Sequence, residues 1–381
     1  MRTCLFALAL IPAPALADFR IEPRDCPADV GCLAAVQLTR FSQSPSVPVV
    51  VGDALVLVGI GPDDTNSMTS LLAVEITLSG TPALAGVTEL DATTTERQGR
   101  IEVAPDGQTY AVFTVDERDH LNRNRLVTAI QFFDEMGERQ GRVGPPYTPD
   151  WPEDLEGTPG DLLSTYRGTN ALTFAEGRMS LRFGRFLMSA RIADGAMELV
   201  ETAPGSEEDG IEALANLLFD PTGGYGSWVQ AGVMGFHNYA GDGRPPELGL
   251  ARTAPSVPPD VLGRWTASEV ILEPNEADYQ RDYAAVTISP DGALLAAIRL
   301  GNSSCDPGPS PFDVVVYDTR TGRLVWTAPG VRTGVVQLGL AFAKDNRLIL
   351  TEAQGAVAPP CGPTEDPSLV RVTIYDPRPA P

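Results

Sequence analysis

Short runs of alternating apolar and polar residues, set off by turn residues, recur along this chain, and the clearest set spans residues 286–326. Val286, Thr287 and Ile288 alternate as a strand does, and Pro290-Asp291-Gly292 follows as a turn in which Gly292 supplies the positive φ of a tight hairpin. Residues 294–300 are the returning strand, 312–317 form a third, β-branched run, and Asp318-Thr319-Arg320-Thr321-Gly322 turns it into Arg323-Leu324-Val325-Trp326. Four short antiparallel strands in about forty residues make one blade of a β-propeller.

The same grammar marks five further units. The first has runs at 47–51, 54–60, 71–78 and 84–90 with a Gly52-Asp53 turn. The second repeats the turn as Ala104-Pro105-Asp106-Gly107 after a strand at 101–103, with runs at 109–115 and 126–133. Repetition of a turn together with its flanking strands signals a repeat architecture. A third unit occupies 171–175, 178–183, 185–192 and 197–200, and a fourth opens at Asp220-Pro221-Thr222-Gly223 with strands expected at 227–233, 247–252 and 262–267. The sixth follows the 286–326 unit, with runs at 336–343, 347–352 and 369–375, and is one strand short. A run at 33–40 is therefore expected to pair beside 369–375, leaving the ring no open edge. Two stretches break the pattern. Residues 144–169 are Pro-rich and read as a surface excursion, the one place where a seventh unit would have to lie, although β-branched runs are lacking there. Residues 206–218 pair a capping box, Ser206 with Asp209, with helical spacing at Ile211, Leu214, Ala215 and Leu218, and predict a short helix. The expected fold is thus all-β, a single propeller of about six four-stranded blades.

Composition adds a compartment. Residues 1–17 carry Arg2, an apolar core and Ala15-Leu16-Ala17, the pattern of a cleaved secretory signal, which divides the chain into a leader at 1–17, an N-terminal segment with the closing strand at 18–46 and the propeller at 47–381. A periplasmic or secreted product is expected, with no membrane insertion, since no later stretch has the apolar length of a span. The formal charge of −22 becomes −23 without Arg2 and disfavours nucleic acid and anionic membranes as partners. Four cysteines remain after the leader, and in an oxidising compartment they allow three pairings. Cys26 and Cys32 are close enough in sequence to staple a small loop to each other.

Ser289-Pro290-Asp291-Gly292, Tyr317-Asp318 and Thr321-Gly322 together resemble the YVTN and WD40-like (PD40-type) repeat of bacterial exported propellers, and Ala104-Pro105-Asp106-Gly107 and Ile374-Tyr375-Asp376 carry part of it. About half of the chain shares the likeness. In that family the loop between second and third strands lies on one face of the disc. The resemblance therefore implies that Cys305 and Cys361, in that loop of adjacent units, pair with each other and leave Cys26 to Cys32. It also implies fold more than function, because such propellers serve as binding scaffolds and, as heavy subunits of amine dehydrogenases or as lactonases, in enzymes. An accessory propeller of the Tol type is disfavoured, since no α/β domain precedes the first unit.

Candidate chemistry is sparse. The chain has two histidines, His120 in a charged loop and His237 in Gly235-Phe236-His237-Asn238-Tyr239, so a three-His zinc site is excluded. Gly301-Asn302-Ser303-Ser304-Cys305 begins a serine-hydrolase elbow and fails at its last position. Asp63, Asp64 and Asn66 are the residues a calcium ion would use, though the run breaks at Met68, and no other cofactor is expected. Arg178, Arg182, Arg185 and Arg191 concentrate positive charge in an acidic chain; alternation along a strand sets Arg178 and Arg182 on one face and Arg185 and Arg191 on another. They either pair with acids or form an anion site. No catalytic residue is assigned. The expectation is a monomeric, non-catalytic scaffold for a protein or small molecule, with Arg178, Arg182, Arg185, His120 and His237 as candidate ligand contacts; the alternative is a periplasmic propeller enzyme or enzyme subunit.

Overall fold

A computed structural model describes residues 20–28, 30–41, 48–62, 68–90, 98–103, 110–116, 126–143, 172–175, 178–183, 186–191, 197–201, 226–230, 233–237, 248–252, 270–273, 282–300, 310–332, 336–354 and 369–377. Every regular element among them is a β-strand. In chain order they are β1 (Arg20–Arg24), β2 (Cys32–Thr39), β3 (Val49–Val51), β4 (Ala54–Pro62), β5 (Met68–Thr77) and β6 (Leu84–Leu90). Next come β7 (Gln98–Val103), β8 (Tyr110–Asp116), β9 (Leu126–Phe133), β10 (Arg139–Val143), β11 (Leu172–Ala175), β12 (Arg178–Phe183), β13 (Phe186–Arg191) and β14 (Met197–Glu201). The remainder are β15 (Gly226–Gln230), β16 (Val233–His237), β17 (Leu248–Arg252), β18 (Val270–Glu273), β19 (Asp282–Ile288), β20 (Leu294–Leu300), β21 (Ser310–Asp318), β22 (Arg323–Arg332), β23 (Val336–Phe342), β24 (Leu348–Gln354) and β25 (Leu369–Tyr375).

These strands form six antiparallel sheets among the described residues, five of which are four consecutive strands in sequential order. The sixth, the closing sheet, joins the two ends of the chain in the order β1-β2-β25-β24-β23. The pairing read from 33–40 beside 369–375 is present, with Val36 opposite Val372 and Leu38 opposite Val370. Strand β1 is an addition: its run Arg-Ile-Glu-Pro-Arg has too few β-formers to read as a strand, and it forms because β2 offers it an open edge, with Ile21 opposite Leu38.

Both faces of the better-packed sheets are buried, which is why their strands read as nearly continuous apolar runs. Along β4, Leu55 and Leu57 pack into a core shared with the closing sheet, while Val56 and Val58 pack with Val103, Tyr110 and Phe133 of the β7–β10 sheet. Along β21, Val314 and Val316 face the closing sheet and Val315 and Tyr317 face Leu248 and Leu250 of the β15–β18 sheet. Each such fully buried Val or Leu stabilises by about 1.5–3 kcal/mol relative to exposure. The first strand of one sheet lies against an early strand of the next: β15 and β16 against β19, β19 against β23, β23 against β3, and β4 against β7. The sheets from β15–β18 through β19–β22, the closing sheet and β3–β6 to β7–β10 are therefore successive neighbours in space, the junction across the two ends of the chain included.

Gly292 has φ of 71°, as the hairpin reading requires. Elsewhere the strands depart from the spacing. The run expected as one strand at 227–233 is two, β15 and β16, separated by Ala231-Gly232, because the alternation restarts after the glycine; Trp228 lies opposite Gly235 and Val229 opposite Met234. The fourth strand of that sheet is β18, later than the expected 262–267, which lies outside the described residues. Strand β22 runs on through Pro329, tolerated because β22 is the last strand of its sheet and need not donate outward. The expected helix at 206–218 and the excursion at 144–169 also lie outside the described residues.

Candidate binding face

Antiparallel order gives every sheet two unlike ends. At one end, the tight end, are the connections from first to second and from third to fourth strand, which have two to six residues except 253–269 between β17 and β18. At the other end leave the connections from second to third strand: 117–125, 238–247, 301–309 and 355–368 are long, and 63–67 and 184–185 are short.

The tight end is committed to structure. In the β19–β20 turn, Ser289 Oγ donates to Asp291 at 2.6 Å, the Ala293 amide donates to the same carboxylate at 3.0 Å, and the Leu294 amide donates to Ser289 Oγ at 2.9 Å. Thr319 Oγ1 donates to the Gly292 carbonyl at 2.6 Å, tying the β21–β22 turn to it, and Asp318 accepts from the Thr321 amide and hydroxyl at 2.7 and 2.8 Å. These bonds hold both carboxyls below the usual carboxylate range, Asp291 chiefly through Ser289 and Asp318 chiefly through Thr321. The turns also bind one sheet to the next. Asn346 Nδ2 donates to Asp291 at 2.9 Å, and Arg347, held by Asp345 at 2.7 Å, donates to the Leu78 carbonyl at 2.6 Å. Three successive sheets are thereby linked, with Asp291, Asn346 and Arg347 making the links.

The long-connection end gathers most of the chemistry read from the sequence. His120 belongs to 117–125, Cys305 to 301–309, Cys361 to 355–368, and Asp63, Asp64 and Asn66 to 63–67; all of these lie outside the described residues. His237 is the last residue of β16, opposite Gly226 and Leu248, where 238–247 departs. Arg178 starts β12 opposite Arg191 of β13, so register places these two on one sheet face with Arg182, rather than on the separate faces expected from alternation within single strands. Antiparallel pairing, invisible in a one-strand reading, makes the difference. Arg178 and Arg182 stand at opposite ends of β12, about 13 Å apart along the strand, and Arg185 lies outside the described residues. Both strands are inner members of their sheet rather than its first strand.

One polar group was not legible as a unit. On the closing sheet Glu352 is opposite Arg371, and Arg371 opposite Gln37, on the face turned to the β19–β22 sheet. Arg371 donates to the Asp25 carbonyl at 3.1 Å while its Nε has no partner, and Thr373 Oγ1 is buried in the same state. Burial raises the Glu352 carboxyl, opposed in part by Arg371, and burial with the nearby Glu352 charge pushes the Tyr375 hydroxyl up to about 12. The signal available was the single register row that crosses three strands, which requires the closing pairing to be known first.

Among the described residues no cluster of His, Cys, Asp and Glu fit for a metal ion occurs, and no helix is long and apolar enough to cross a membrane. Cys26 and Cys32 form a disulfide. No protein-family profile and no curated protein matches the chain. Solved structures do match at low similarity: a prolyl endopeptidase at 12% identity and a TM-score of 0.42, over 83% of this chain and 46% of that one. Prolyl oligopeptidase B from Galerina marginata matches in its apo form at 10% identity and a TM-score of 0.40, over 83% of this chain and 48% of that one. The same enzyme bound to a 25mer substrate matches at 10% identity and 0.37, over 88% and 52%. The match spans about half the length of each of these solved structures.

Proposed function

We propose that this chain is an exported, non-catalytic β-propeller of six blades, of the YVTN and WD40-like kind, that binds a protein or small molecule across its long-connection end. The difference between the two ends carries the proposal: turns of the β19–β22 and closing sheets at the tight end spend side chains on holding sheets together, while the other end sends out 117–125, 238–247, 301–309 and 355–368, each of nine residues or more, with 253–269 the one long connection at the tight end. Surfaces that bind are built from such connections on a rigid scaffold. Five sheets of sequential strand order, contacts between successive sheets from β15–β18 round to β7–β10, and an N-terminal strand in the last sheet support the ring. The Cys26–Cys32 disulfide suits an oxidising compartment.

Affinity capture from the periplasm, with metal analysis of the same sample, tests the proposal. A partner retained by Arg320→Ala and Lys344→Ala at the tight end, and lost on replacing 301–309 by a Gly/Ser linker of equal length, is the expected result. A partner lost only with the tight-end substitutions overturns it. A stoichiometric metal with no partner, abolished by Asp63→Ala with Asp64→Ala or by His120→Ala, supports the enzyme alternative instead.

A further inference from the structure

The seven-residue loop closed by Cys26 and Cys32 sits where the two ends of the chain meet, and its contacts reach beyond its own hairpin. The Gly31 carbonyl accepts from the Asp376 amide at 2.9 Å, immediately after β25. Gly31 adopts φ of 66°, and a Cβ there would stand 2.8 Å from the Asp376 carbonyl oxygen and 3.8 Å from the Trp326 indole nitrogen. The Asp25 carbonyl accepts from Arg371 of β25. Val30 and Cys32 pack into the core between the closing sheet and the β19–β22 sheet, beside Trp326 and Tyr375, whose rings lie 5.3 Å apart. Residues just before the disulfide and within its loop thus dock on the last strand and on the neighbouring sheet. The Gly31 contact is made with a left-handed backbone, which an open seven-residue loop adopts at a cost in conformational freedom. Cys32 is half-buried, whereas Cys26 is exposed to solvent.

We infer that the Cys26–Cys32 loop is a thiol-sensitive clasp on the closing sheet: oxidised, it holds the β1–β2 hairpin onto β25, and reduced, it lets that hairpin leave while the other sheets stay folded. The co-reactant is a dithiol. One thiolate attacks Sγ of exposed Cys26, the S–S bond breaks and Cys32 departs as a thiolate that takes up a proton. The second thiol of the reductant then displaces Cys26, so two electrons and two protons pass to the protein and the reductant becomes a disulfide. The inference concerns the ends of the chain and is independent of what the long-connection end binds.

Limited trypsinolysis of the full chain, followed by mass spectrometry with and without a dithiol, is the test. Cleavage after Arg20, Arg24 and Arg40 is expected to rise by roughly tenfold or more on reduction, with cleavage after Arg139 and Arg323 unchanged. The Cys26→Ser, Cys32→Ser double variant is expected to show the fast cleavage without reductant and no further response to it. Unchanged cleavage at the three N-terminal sites overturns the inference, as does an equal rise at all five sites. A dithiol response that persists in the double variant also overturns it, by assigning the effect to Cys305 and Cys361. If the double variant does not fold, the site-resolved comparison on the unsubstituted chain decides alone.

Discussion

At the scale of single residues, the titrating groups divide by sign. Burial raises Glu352 above its ordinary 4.5, so the folded state prefers the protonated carboxyl. The stability it contributes is full below 4.5 and is lost as pH rises through its folded pKa. Glu352→Gln is accordingly expected to stabilise the protein by about 1 kcal/mol at pH 8, where the native carboxyl must ionise, and by nothing measurable at pH 4. Urea melts at the two pH values check it, and equal effects at both would refute the assignment of cause. Asp291 behaves oppositely: lowered below 3.8 by its hydrogen bonds, it supports the fold above that pH and loses the contribution as pH falls through its folded pKa. Asp291 was legible in the sequence as a turn residue, since its role is local. Glu352 was not, because its environment depends on Arg371 and on a neighbouring sheet far away in the chain.

Among elements, the turns act as joints as well as reversals. The bond from Asn346 to Asp291 links two sheets, so a double-mutant cycle of Asp291→Ala and Asn346→Ala is expected to give a coupling energy of about 0.5–1 kcal/mol. A coupling near zero would mean that the two turns are merely adjacent. The approach of β23 to the next sheet is closer still. A Cβ on Gly339 would lie 2.5 Å from Pro48 Cδ and 2.6 Å from Thr351 Oγ1, so Gly339→Ala is expected to cost about 1–3 kcal/mol in thermal or urea melts. Strand existence was readable where β-branched runs meet turn signals, as in β19–β22, because both faces of those strands are buried and the whole run must be apolar. Readability failed at β1, a polar strand recruited by an open edge, and at β15–β16, where one glycine-containing step divides what reads as a single run. Register explains the arginines likewise: Arg178 and Arg191 face the same way only because β12 and β13 are antiparallel at that offset.

For the molecule as a whole, the sequence yields the pairing of the two chain ends because the missing fourth strand of the last unit is expected from a strand elsewhere. It yields far less of the binding end, since connections between strands carry no periodicity to read, and His120, Asp63 and Cys305 are placed only by the connection that holds them. Everything proposed for function presupposes that the two ends of the chain are locked in one sheet, with Val36 and Leu38 of β2 paired to Val372 and Val370 of β25. Hydrogen–deuterium exchange resolved to peptides measures this directly. If β2 is an integral strand, the amides of 32–39 and 369–375 exchange together, as slowly as those of the central strand β20. Exchange of 32–39 at the rate of a frayed terminus, with 369–375 protected, would contradict the closure and the ring that depends on it.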